Sequence, residues 1–141
     1  MIVEAERMAL SGGFSVQDDL ILGYSFGGYI TYDDDDSLAE FDVTSVSGIG
    51  VLQIRFYSLA HNFDMEVVVN GVSHTVTFNH PGHGGWDHIY LEVEFFDDMT
   101  AMNRVQLKPI TQETWGAYPL IDRIVVQEAC ASSSQGNPYI L

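Results

Sequence analysis

Residues 63–78 read FDMEVVVNGVSHTVTF. Two runs rich in valine, threonine and phenylalanine meet at Asn70-Gly71, and both turn residues tolerate positive φ, so the stretch predicts a hairpin closed by a two-residue turn. Upstream, in VLQIRFY at 51–57, Leu52, Ile54 and Phe56 alternate with Val51, Gln53, Arg55 and Tyr57. Period-two alternation gives a strand with one apolar face for packing and one that water can reach.

Working outward, similar short runs recur between clusters of Gly, Asp, Asn and Pro. The expected strands are 2–8, 37–44, 51–57, 64–70, 75–79, 89–95, 104–108 and 121–127. No segment holds an apolar 3.6-residue period over ten or more positions, which argues against crossover helices and a parallel sheet. Eight or nine strands in one unit point to an all-β fold, a β-sandwich of the jelly-roll kind. Beyond Glu128 the composition turns to Ala, Ser, Gln, Gly and Asn. The chain therefore divides into a sandwich at 1–128 and a linker or tail at 129–141.

The 141 residues suit one domain, and at 46% hydrophobic they can fill a core. Twenty acidic against five basic residues give a formal charge of −15. Such a field repels phosphate backbones and anionic lipid, so nucleic acid and membrane surfaces are poor partners, while an uncharged polymer meets no such barrier. No apolar run approaches the roughly 20 residues that span a bilayer, and the amino terminus lacks a basic segment leading into an apolar one. A single cysteine, Cys130, has no second thiol for an intramolecular disulfide.

Several spaced motifs stand in order: VEAERMALSGG (3–13), GYSFGGYITY (23–32), SLAEFDVT (37–44), LQIRFY (52–57), VVVNGV (67–72), GGW (84–86), MNRVQL (102–107) and WGAYPLIDRIVV (115–126). Over about residues 2–127 the chain resembles carbohydrate-binding module family 35, with family 6 as a near relative, and the Trp-Gly-x-Tyr stretch resembles mannan-binding members. The resemblance implies a galactose-binding-domain-like jelly roll, a ligand site in loops at one end, a structural calcium near the amino terminus, and attachment to a catalytic domain that degrades plant cell wall. It also implies a secreted, extracellular protein, read here as a monomer. The chain departs from the pattern at Ile89, at Leu120 or Pro119, and at Arg123, so the sugar clamp common in family 6 is not expected.

Sugar rings present flat C–H patches that stack on aromatic faces and hydroxyls that bond planar polar groups. Tyr24 in a Gly-rich loop, Tyr57 at a strand end, and Trp115 with Tyr118 in a Gly- and Pro-punctuated loop are the candidate stacking residues. Asn62 is a candidate hydroxyl partner, equally readable as a turn residue. Trp86, after two glycines, reads as packing rather than stacking. For calcium, Glu4 and Glu6 are read as alternating on one face of the first strand, with Asp122 opening the last; such carboxylates repel unless a hard cation bridges them. The run 33–36 is a solvated turn that can lend one further ligand. His80, His83, Asp87 and His88 have zinc-type donors, but glycines among them keep them off one rigid element, and neutral histidine serves a sugar equally well.

Three function classes follow: a polysaccharide-binding module, with β-mannan preferred over uronic-acid- or galactose-containing glycans; a small glycoside hydrolase or lyase, which would need a convergent carboxyl pair; and an adhesion domain, which would need a flat apolar patch. No hydrolase elbow or glycosidase motif is present in the sequence, and the chain is read as a non-enzyme.

Overall fold

A computed structural model describes residues 1–18, 27–31, 36–44, 46–58, 62–79, 85–110 and 119–129. Eleven strands lie among them: β1 (Ile2–Glu4), β2 (Ala9–Ser11), β3 (Ser15–Gln17), β4 (Tyr29–Thr31), β5 (Leu38–Val43), β6 (Ile49–Ser58), β7 (Phe63–Val69), β8 (Val72–Phe78), β9 (Asp87–Glu94), β10 (Asn103–Pro109) and β11 (Pro119–Glu128). They form two antiparallel sheets. The first runs β3-β4-β11-β6-β9 with β1 also on β11, and the second runs β2-β5-β10-β7-β8. The chain crosses repeatedly from one sheet to the other, which is the expected β-sandwich jelly roll.

Alternation decides which residues meet between the sheets. Leu52, Ile54 and Phe56 of β6 face Met65 and Val67 of β7 and Val105 and Leu107 of β10 across a common core, all 3% exposed or less. Phe56 and Phe78 meet edge to face with ring centroids 5.0 Å apart. Such a pair contributes about 0.5–1.5 kcal/mol beyond its buried area. The β7–β8 hairpin turns where the sequence predicts, with Asn70 at φ 50° and Gly71 at φ 85°. Two consecutive positive φ angles are the I′ geometry that matches strand twist.

Two features of the first sheet depart from simple alternation. The run 2–8, expected as one strand, is interrupted after β1 by a 3-10 turn at Ala5–Arg7, closed by the Met8 amide donating to the Ala5 carbonyl at 3.1 Å. Ala5 is fully buried, so the turn tucks its small side chain into the core. The second departure is a β-bulge in β11. Ile121 pairs with Phe56 and Arg123 pairs with Arg55, leaving Asp122 as the extra residue. Ile121 and Ile124 therefore both reach the core although three positions apart. On its other edge β11 pairs with β1 below the bulge, through Glu4 opposite Arg123, and with β4 above it, through Ile30 opposite Ile121.

Registers place the strand ends. Ser58 lies opposite Pro119, Phe56 opposite Asp87, Phe63 opposite Phe78, and Met65 opposite Pro109. The strand ends that flank residues 59–61, 80–84 and 111–118 thus lie at one end of the sandwich, here called the rim.

Candidate functional site at the rim

The outward face of β6 carries Gln53, Arg55 and Tyr57 toward the rim. Just before β9, Trp86 folds over this face. Its ring lies 5.5 Å from that of Tyr57 and 5.9 Å from that of Tyr29, both edge to face, and the Arg55 guanidinium sits 5.0 Å over it. Tyr29 is fully buried, whereas Trp86 and Tyr57 are half-buried. Trp86 is therefore a strut, as its sequence context suggests, and Tyr57 leans on it with part of its ring toward solvent.

Arg55 is fixed from its other side. Its Nη1 donates to Asp122 Oδ2 at 2.5 Å, and the carboxylate is fully buried while the arginine side chain is 19% exposed. The bulge makes this possible, because two consecutive residues of β11, Asp122 and Arg123, come to oppose Arg55. A buried carboxylate without a counter-charge is costly, so the pair holds the strut in one arrangement. Sequence reading missed this pairing. The one available signal was the pattern Ile-Asp-Arg-Ile at 121–124, whose two charges between apolar residues break strict alternation.

The other expected residues divide as follows. Asn62 is exposed and immediately precedes β7, at the same rim end as Tyr57. Tyr24, Trp115 and Tyr118 lie outside the described residues, as do His80 and His83. His88 belongs to β9 as an exposed strand residue opposite Arg55. Among the described residues no three His, Cys, Asp or Glu side chains gather to hold a metal ion.

The calcium carboxylates occupy different settings. Glu4 and Glu6 do not alternate on a strand face as expected, because the 3-10 turn rotates Glu6 away from the strand. Glu6 Oε2 accepts a hydrogen bond from the Gly27 amide at 2.9 Å, while its Oε1 is buried with no hydrogen-bond partner. A buried carboxylate oxygen left unsatisfied is a position that a hard cation fits. The Asp122 carboxylate, by contrast, already has the Arg55 cation as its neighbour.

No family model matches the chain, and no curated protein does. Solved structures do. The chain aligns to a GH26-CBM35 β-(1,4)-mannanase of Podospora anserina at TM-score 0.73 and 20% identity, covering 98% of this chain and 28% of the mannanase. A family 35 carbohydrate-binding module from Clostridium thermocellum aligns at TM-score 0.72 and 20% identity over 92% of this chain and 98% of the module. An exo-β-1,3-galactanase of Phanerochaete chrysosporium, solved with β-1,3-galactotriose, aligns at TM-score 0.72 and 19% identity over 89% of this chain and 29% of the enzyme. The chain thus has the fold of family 35 modules and spans little more than a quarter of the length of the mannanase and of the galactanase.

Proposed function

We propose that this chain is a non-catalytic carbohydrate-binding module whose rim engages a plant cell-wall polysaccharide, with β-mannan, including glucomannan and galactomannan, as its ligand. The observation that carries the reading is the partly exposed Tyr57 ring, braced by Trp86 and Arg55 at the end of a family 35 fold. A ring held in place loses little freedom when a pyranose lies on it. Trp115, Tyr118 and Tyr24 are proposed as further stacking residues and Asn62 as a hydroxyl partner. The likeness to a module carried by a mannanase and the Trp115–Tyr118 stretch favour mannan. Galactose-containing glycans are the second reading, favoured by the likeness to a galactanase.

A binding rather than catalytic role agrees with the chemistry of Asp122. Among the described residues it is the one buried carboxylate, and the arginine bonded to it keeps it from serving as acid or base toward a sugar. The protein would act as a secreted monomer that holds an appended catalytic domain near its substrate by raising effective concentration. Affinity of a shallow rim falls on the order of 10–1,000 μM.

Calcium is proposed as a structural ion at Glu6, supported by its unsatisfied oxygen; Glu4 and Asp122, expected beside it from the sequence, do not gather with Glu6 into a three-carboxylate group, and Asp122 is held by Arg55. Bound there, it would satisfy the buried Glu6 oxygen of the amino-terminal turn.

Affinity electrophoresis of the chain against soluble mannans, xylans, pectins and β-glucans tests the ligand. Retardation by mannan is expected, with loss in Trp115→Ala and a several-fold weakening in Tyr57→Ala, both variants remaining folded at the assay temperature. Retention on mannan unaltered in both variants would remove the rim from the site, and no retardation by any glycan would end the carbohydrate reading.

A further inference from the structure

The end of the sandwich opposite the rim carries a cleft of about 380 Å³, where the β7–β8 hairpin approaches the end of β9. Val69, Asn70, His74, Glu94, Phe96 and Asp97 are among its walls. Its size falls within the roughly 300–1,000 Å³ of small-molecule sites.

The cleft is preformed, because two of its walls hang from one buried residue. Asn103 is fully buried. Its Oδ1 accepts from Asn70 Nδ2 at 2.7 Å and from the Phe96 amide at 2.9 Å. Asn70 is held again through its own Oδ1, which accepts from the Arg104 amide at 2.9 Å. Phe95 fills the core at 3% exposure, so its neighbour Phe96 turns outward and stands 49% exposed at the cleft.

What surrounds that ring is polar capacity left unused. Among the described residues, no hydrogen bond or ion pair takes up the side chains of His74, Glu94 or Asp97. Among the described residues no Lys or Arg lines the cleft. An apolar face with two hydroxyl acceptors and an imidazole around it suits a polyhydroxylated ring. The two carboxylates repel an acidic one.

We propose that this cleft is a second saccharide subsite, taking a neutral pyranose with its C–H face on Phe96 and its hydroxyls on Glu94, Asp97 and His74. The proposal rests on the carbohydrate-binding reading above. Ten residues of β6 separate the two ends, a span of roughly 30 Å at about 3.3 Å per residue. The two sites face away from each other, so they engage separate polysaccharide chains and add avidity on an insoluble matrix.

The test is a titration of the whole chain with mannohexaose and with oligogalacturonate, followed by amide NMR, in wild type, Trp115→Ala, Phe96→Ala and His74→Ala. Mannohexaose is expected to shift the Asn70, His74 and Phe96 amides saturably in wild type and in Trp115→Ala. Phe96→Ala should weaken that response at least tenfold and leave the Tyr57 response unchanged. His74→Ala should weaken it several-fold, which guards against misfolding of the phenylalanine variant. Shifts confined to the rim would overturn the second subsite and leave the rim reading standing, whereas shifts confined to the cleft would do the reverse. Equal shifts of the cleft amides with oligogalacturonate would overturn the neutral-sugar assignment, and no response anywhere would end both readings.

Discussion

Replacing Arg55 with alanine removes two contacts at once. The Asp122 carboxylate is fully buried and loses its cation, and the Trp86 ring loses the guanidinium above it. Breaking a buried pair from one side costs about 3–5 kcal/mol, and a cation–π contact of this kind about 0.5–2 kcal/mol. The two losses share one side chain and do not simply add. A net loss of about 3 kcal/mol is expected, since Arg55 is itself 19% exposed and partly screened. At this chain length that lowers the melting temperature by roughly 10–15 °C. Calorimetry and urea unfolding of Arg55→Ala, Asp122→Ala and the double variant measure it. The double variant should lose clearly less than the sum of the singles, because neither charge is then left stranded. If Arg55→Ala stays within about 1 kcal/mol of wild type, the carboxylate has no need of the arginine. Repeating the melts with calcium and with a chelator locates the replacement. A small effect of Arg55→Ala joined to a large effect of chelator would assign Asp122 to the ion instead.

Two further expectations concern the far end. Asn103→Ala should cost about 1–2 kcal/mol in urea unfolding, because it leaves the Asn70 side-chain amide and the Phe96 amide without their part-buried acceptor; a cost below about 0.5 kcal/mol would show that water takes over these bonds. Asp98 accepts from both the hydroxyl and the amide of Thr100, and these bonds hold its carboxyl below the ordinary carboxylate value. A depressed native value means that the contribution of the turn is present above the unfolded-state value and is lost as pH falls through the native one. Carboxyl NMR titration should show Asp98 moving toward the ordinary value in Thr100→Val, and an unmoved midpoint would refute the cause.

The hairpin and the apolar face of β6 were legible because each is a local pattern, a turn dipeptide in one case and period two in the other. The three-residue strands β2, β3 and β4 were not, since three positions are too few to show a period. Glu-Ala-Glu-Arg at 4–7 begins with a polar-apolar alternation and so mimics a strand, but Ala5–Arg7 form a 3-10 turn, closed by the Met8 amide on the Ala5 carbonyl, that no period-two pattern signals. At the rim, Tyr57 could be placed by alternation, and Trp86 by the glycines before it. The Arg55–Asp122 pair joins residues 67 positions apart and depends on a one-residue slip in strand pairing, which no local pattern specifies. Asn103 is similar, a polar side chain on the inward face of β10 whose partners come from three other segments.

The inserted residue in β11 also limits how this scaffold can be rebuilt. Losing the bulge while Asp122 is kept, so that Asp122 pairs in regular register opposite Arg55, would swap the two faces of everything that follows, turning Ile124 and Val126 outward to water and the polar Gln127 inward. Loop exchange aimed at new specificity therefore has a fixed downstream seam. Foreign segments can vary in length up to Pro119, but the stretch from Ile121 to Ile124 must be transplanted whole or left alone.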